Sequence, residues 1–405
     1  MTIEHLMGER LKALRDEQQD RRFFALDKSR ELGPTRYKER GTGRVIDVWC
    51  TNDYLGQSLS PTVSDAALRI IAESGVGTGS VRSISGTTSV HLELEGAVAK
   101  FHSKEAALVF NSGFICNESC LYVLGRNIPG LVILSDEKNH ASMAHGIINS
   151  RAEKVVFRHN DVEHLEAALK SIPVERPKLV VFESVYSMDG TVSPIREVVA
   201  LAKKYGAMTY LDEVHAVGMY GATGGGVSQE LGVQGEIDIV QGTFGKALGT
   251  IGGYVATTSV IREFLIQHAP GFIFSTSMPT GVIAASLQSL KEIVDAVELR
   301  KAHRANVQKV RDLLELDGHV VMSKASHIIP VFIGIATLAT RATALLMEKH
   351  RIFAQAIKPP SVKSGQERLR ITPMPQHSDE QVQRLRHALA EIANLSPARK
   401  EARAS

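Results

Sequence analysis

The chain has 405 residues, 43% hydrophobic and 22% charged, which suits an ordinary globular protein of about two domains. Its 47 basic and 44 acidic side chains leave a net charge of +3, too small to argue for a nucleic-acid partner. Cys50, Cys116 and Cys120 lack metal-ligand spacing and suggest a reducing compartment, no leader-like apolar core opens the chain, and no apolar run approaches a membrane span, so a cytoplasmic protein without metal or membrane contact is expected.

Residues 1–45 read as a polar N-terminal arm with one helical segment near Leu6 to Gln19. A strand from Val45 to Trp49 opens a large domain over residues 46–286. Within it Ala106–Phe110, Leu131–Leu134, Val155–Phe157, Leu179–Phe182, Met208–Leu211, Ile237–Val240 and Tyr254–Ala256 are strand candidates, with helical stretches between most of them. The clearest helix is Pro194 to Lys204, with Ser193 as N-cap and Pro194 in its first turn. Such alternation predicts an α/β fold: a largely parallel sheet covered on both faces. The glycines of Gly75-Val76-Gly77-Thr78-Gly79 follow no strand, so they are expected to let a ligand approach the backbone rather than to bind a dinucleotide. Residues 287–395 read as a smaller α+β domain. It starts with a long charged helix, Leu287 to Leu316, and ends with a helix that Ser378 and Gln381 cap as a box. A tail, 396–405, follows.

The stretch from Tyr210 to Gly249 concentrates chemistry. One short apolar run ends on Asp212 and continues to His215; a second ends on Gln241-Gly242-Thr243-Phe244-Gly245-Lys246. Buried parallel strands carry their functional groups at their C-terminal ends, so a carboxylate, an imidazole and a lysine are expected to share one crevice. That set suits pyridoxal 5'-phosphate (PLP), which needs a lysine for the Schiff base, a carboxylate at the pyridinium nitrogen, and small or hydroxylated residues at the phosphate.

Seven motifs occur in order: Thr51-Asn52-Asp53-Tyr54-Leu55-Gly56, Ile84-Ser85-Gly86-Thr87-Thr88, Asn139-His140-Ala141-Ser142, Glu183 to Gly190, Asp212 to Gly218, Gly242 to Lys246, and Phe274-Ser275-Thr276-Ser277. Together they resemble the α-oxoamine synthases, a PLP-dependent transferase family of fold type I. Val48-Trp49-Cys50, Ala269 to Ser277 and Glu367 to Arg370 look most like the members that condense glycine with succinyl-CoA to 5-aminolevulinate. The resemblance implies a mostly parallel seven-stranded sheet between helices, a smaller C-terminal domain, and a homodimer with shared active sites. It makes Lys246 the Schiff-base lysine and α-proton base, Asp212 the partner of the ring nitrogen, His140 a ring-stacking group and His215 a hydrogen-bond donor to the phenolic oxygen. Ser112, Gly113, Phe114 and Thr243 would hold the phosphate, with Thr276 from the partner subunit, and Ser187 and Ser275 are further cofactor-binding residues. Arg370, Asn52 and Ser187 would meet the glycine carboxylate. At the acyl pocket Arg22 matches the arginine that meets the succinyl carboxylate. Val81 and Ser83 stand where the aminolevulinate-forming members carry Thr and Asn, and Val81-Arg82 resembles the acetyl-transferring members. Two other readings stay open: condensation with another short or medium acyl-CoA, and a non-catalytic PLP-binding protein.

Overall fold

The computed structural model describes residues 2–17, 19, 20 and 23–393. Arg22 and the tail 396–405 lie outside them. The described residues form two compact units, one of residues 57–187 and 192–300, the other of those within 1–56, 188–191 and 301–393.

The first unit is built on seven strands: β1 Ala106–Phe110, β2 Val132–Asp136, β3 Glu153–Phe157, β4 Lys178–Glu183, β5 Ala207–Asp212, β6 Ile239–Thr243 and β7 Gly253–Thr257. Their order is β1-β7-β6-β5-β4-β2-β3, and all neighbouring pairs are parallel except those made by β7, which runs antiparallel to both β1 and β6. Every residue of β2, β4, β6 and β7 is buried, as expected of strands covered on both faces. Burial on this scale is the main stabilising term, about 1.5–3 kcal/mol for each large aliphatic side chain. Lys178 is tolerated at the start of β4 because its ammonium donates to the carbonyls of Val174 (3.2 Å) and Arg176 (2.9 Å). Leu108, Phe110, Leu121, Ile133, Val181, Tyr210 and Phe272 belong to this unit's core.

Two elements of this unit differ from expectation. The helix after β4 is Ile195–Lys204, and Pro194 is its N-cap. Ser193 does not cap it, because its hydroxyl donates instead to Asn160 Oδ1 at 3.2 Å. The long helix expected from Leu287 is two helices, Thr280–Asp295 and Val297–Leu316, broken at Ala296. There the Arg300 guanidinium donates to the carbonyls of Ile293, Val294 and Ala222, and so satisfies the end of the first helix. The glycines at 75, 77 and 79 sit in open space, where a Cβ would meet nothing within 4 Å. The demand there is conformational: Gly75 ends the helix Pro61–Ser74 at φ +80°.

The second unit has its own core, in which Trp49 packs with Val310, Ile329, Leu346, Leu369 and Leu389. A four-stranded sheet joins Leu26–Asp27, Arg36–Glu39, Val45–Val48 and Ile352–Phe353, the last pairing parallel to Val45–Val48. A three-stranded antiparallel sheet joins Ile329–Phe332, Arg368–Ile371 and Ala356–Ile357. The N-terminal helix is Ile3–Asp16, and the helix Asp379–Ala393 opens with the expected box: Gln381 N–H donates to Ser378 Oγ and Ser378 N–H to Gln381 Oε1.

Candidate active site

The C-terminal ends of β1, β4, β5 and β6 converge on a cavity of about 150 Å³ lined by Gly113, Phe114, Asn117, His140, Ser142, Glu183, Asp212, His215, Thr243 and Lys246, with Val214 beside them. An apolar cavity of about 840 Å³ lies at the other ends of the strands, lined by Leu179, Met208, Ile239 and Phe264. Size favours that one, but the smaller cavity carries the convergent titratable groups on which chemistry depends.

Asp212 ends β5 and is 4% exposed. Burial raises its pKa. The Asn117 amide (2.8 Å to Oδ2), the Lys246 charge and the Val214 N–H (2.8 Å to Oδ1) pull it back down. Glu183, at the end of β4, is its like-charged neighbour, and burial and the Asp212 charge hold its pKa well above the usual carboxylate range. Its Oε1 accepts the His140 N–H at 2.6 Å. His140 caps the helix Ala141–Ser150, and burial, aided by the Lys246 charge, lowers its pKa and keeps the ring neutral, although Asp212 acts the other way. His215 is buried in the turn beyond β5.

An anion cradle adjoins these groups. Beyond β1, Ser112 caps the helix Gly113–Asn127 through Ile115 N–H (3.1 Å), leaving the N–H groups of its first turn at the cavity. A Cβ on Gly253 would lie 2.6 Å from the Gly113 backbone, so β7 packs directly against this turn. Thr243 Oγ1 accepts the Gly245 N–H at 3.1 Å and donates to the Gly252 carbonyl at 2.6 Å, which shapes the loop that carries Lys246. An amine, a buried carboxyl with two hydrogen-bond donors, a neutral imidazole and a helix N-terminus make a set that fits PLP.

The other expected residues of the first unit do not line this cavity. Val81 and Thr276 form an isolated antiparallel bridge, and the Thr276 carbonyl accepts from Asn111 Nδ2 at 2.7 Å. Ser275 lines a small hollow with Arg82 and His91, while Ser83 is exposed and Ser187 half-buried. Within the second unit, Arg370 aims its fork at Tyr54 Oη (2.9 Å) and Asn52 Oδ1 (3.2 Å). Sequence reasoning missed Asn117, Ser142, Glu183 and Tyr54 as site residues. Glu183 and Tyr54 stood inside quoted motifs, whereas Asn117 has no signal beyond being polar in an apolar helix.

Residues 45–389 match the family model described as aminotransferase class I and II. The 5-aminolevulinate synthase of Rhizobium meliloti is 44% identical over 391 residues, covering 96% of this chain and 96% of that protein. That of Rickettsia bellii is 41% identical over 387 residues, covering 96% and 93%. A solved structure of SPT with a PLP internal aldimine superposes at a TM-score of 0.89 with 30% identity, covering 96% of this chain and 97% of that one. The chain belongs to the class I and II aminotransferases, in the α-oxoamine synthase branch.

Proposed function

We propose that this protein condenses glycine with succinyl-CoA to give 5-aminolevulinate, CoA and CO2, with PLP as its cofactor. The observation that carries the reading is the single cavity on which Lys246, Asp212, His140 and His215 meet. Identity of 44% and 41% to relatives named 5-aminolevulinate synthase supports the choice of reaction.

When bound, PLP supplies an electron sink for the charge that develops at the glycine α-carbon. Lys246 would hold the cofactor through its amine, and the same amine, neutral in a dry site, could take the α-proton of the amino acid. Asp212 would keep a proton on the ring nitrogen, His140 would cover the ring, and His215 would donate to the phenolic oxygen. The helix N-terminus at Ser112-Gly113-Phe114, with Thr243, would hold the phosphate. Arg370, its fork pre-set by Asn52 and Tyr54, would take the amino acid's carboxylate bidentately. Ser187 is a further candidate for that carboxylate. Arg22, which lies outside the described residues, would pair with the terminal carboxylate of the succinyl group, and Val81 and Ser83 are the other acyl-pocket candidates. The new carbon–carbon bond joins the glycine α-carbon to the thioester carbonyl, CoA leaves as the thiol, and the glycine carboxyl leaves as CO2.

Thr276 would reach the partner's phosphate across a homodimer, and the protein would work in the cytoplasm. Among the described residues no helix is long and apolar enough to cross a membrane.

The test is PLP uptake followed by turnover of glycine with succinyl-, acetyl- and butyryl-CoA. Expected are a visible absorption band that Lys246→Ala loses together with turnover, and the highest kcat/KM for succinyl-CoA. Failure to bind PLP refutes the reading, and an about tenfold preference for a neutral acyl-CoA replaces the acyl donor.

A further inference from the structure

One buried amide touches both branches of the site. Asn117 lies one turn into the helix Gly113–Asn127 and is 2% exposed. Its Nδ2 donates to Asp212 Oδ2 at 2.8 Å and to Ser142 Oγ at 3.1 Å, and its Oδ1 accepts from the Tyr210 hydroxyl at 2.8 Å. The two ends of an amide are alike in shape, so its orientation depends on its partners. With the phenol donating to Oδ1, both amide protons face Asp212 and Ser142; reversed, an oxygen would oppose the carboxylate. Ser142 Oγ lies 2.7 Å from His140 Nδ1, and the Ser142 N–H reaches the same nitrogen at 3.2 Å. A ring nitrogen that accepts a backbone N–H has no proton of its own, so the Ser142 hydroxyl also donates to it, and neutral His140 keeps its proton on Nε2. A directed chain results: Tyr210 to Asn117, Asn117 to Asp212 and Ser142, Ser142 to His140. Tyr210 and Ser142 are fully buried like Asn117, so water does not compete for these bonds.

We propose that Asn117, oriented by Tyr210, is a positioning residue that holds Asp212 as a carboxylate and fixes the tautomer of His140 at the same time. The proposal rests on the cofactor reading above, in which Asp212 faces the ring nitrogen and His140 the ring. It predicts an asymmetry among three variants. Asn117→Leu breaks both branches, Ser142→Ala breaks only the branch to His140, and Tyr210→Phe frees the amide to turn and weakens both.

The experiment uses PLP-loaded enzyme with ¹⁵N-labelled histidine and PLP labelled with ¹⁵N at its ring nitrogen, read by NMR at neutral pH. The wild type should show a protonated ring nitrogen and a His140 proton on Nε2. Asn117→Leu should move the ring-nitrogen signal toward the unprotonated position and scramble the His140 tautomer. Its kcat should fall about tenfold to a hundredfold while KM for glycine stays within about threefold. Ser142→Ala should move only the His140 signal, and Tyr210→Phe both signals by less. Unchanged signals in loaded Asn117→Leu overturn the proposal, as does a Ser142→Ala that moves the ring nitrogen as far as His140. If Asn117→Leu does not fold, Tyr210→Phe decides: both signals moving supports the proposal, and neither moving overturns it. A wild-type protein that takes up no PLP refutes the cofactor reading instead. In that case the His140 tautomer of the unloaded protein, compared between wild type and Ser142→Ala, still tests that branch of the chain.

Discussion

Gly253→Ala probes the cradle without touching any group that performs chemistry. Gly253 is the first residue of β7, paired with Phe110 on one side and Thr243 on the other. The added methyl would sit 2.6 Å from Gly113 Cα and N and 2.7 Å from Ser112 C, where ordinary contact starts at 3.4 Å. The difference, 3.4 − 2.6 = 0.8 Å, must come from backbone, since both sides are main chain and no side-chain rotation relieves it. Overpacking of this kind costs about 1–3 kcal/mol of stability. Moving the first N–H groups of the helix by that distance also loses one charge-assisted hydrogen bond to phosphate, about 1.5–3 kcal/mol, or about tenfold to a hundredfold in Kd. The assay is absorbance titration of PLP into cofactor-stripped protein, beside a melt of the unloaded protein. A Kd for PLP within about twofold of wild type refutes the claim that the Gly253 contact sets the cradle's geometry.

Three further outcomes are expected. Asp212→Asn keeps the shape but removes the charge, so PLP still binds while turnover falls by about a hundredfold or more; a change under about tenfold gives the carboxylate another role. Val81→Thr adds a hydroxyl at the acyl pocket and should sharpen discrimination for succinyl-CoA over butyryl-CoA by about threefold to tenfold, measured as kcat/KM; no change removes Val81 from specificity. His377 is buried on Trp49, its Nε2 donating to the Val48 carbonyl, and burial lowers its pKa to about 3. The unfolded chain takes up this proton as pH falls through about 6.5 while the folded protein does not. The contribution is therefore intact above that value and is lost on acidification toward pH 3. His377→Gln should flatten the fall of unfolding free energy by about 1.4 kcal/mol per pH unit between about pH 6 and pH 4; parallel curves for variant and wild type sink this account.

The sheet was legible because its strands are short apolar runs between turn residues, and Ala106–Phe110 agrees to the residue. Strand ends were less so: the strand candidate Ile237–Val240 is observed as Ile239–Thr243, because ladder bonds to β7 continue past the apolar run. What the sequence hid was decided by side chains from elsewhere. Nothing near Ala296 announces a helix break, since the guanidinium that satisfies the freed carbonyls belongs to Arg300, whose role depends on folding. Ser193 looked like a cap because of its neighbours, but Asn160, remote in sequence, claims its hydroxyl. At the site, Lys246 and Asp212 stood out as polar groups ending apolar strands. Asn117 did not, because a mid-helix asparagine is silent until its partners are in place.

The sheet of the second unit has a consequence for synthesis. Val45–Val48 completes its pairing with Ile352–Phe353, and Trp49 is packed by residues as late as Ile392. The interval from Trp49 to Ile392 is 392 − 49 = 343 residues, which a ribosome delivers in about 17–70 s at roughly 5–20 residues per second. Until then the indole lacks its complete core, whereas β1 to β7 emerge as one continuous block and can close their sheet early. Val45–Val48, one of the first strands made, is thus among the last to complete its pairing, and in the nascent chain the indole that follows it is left in need of protection.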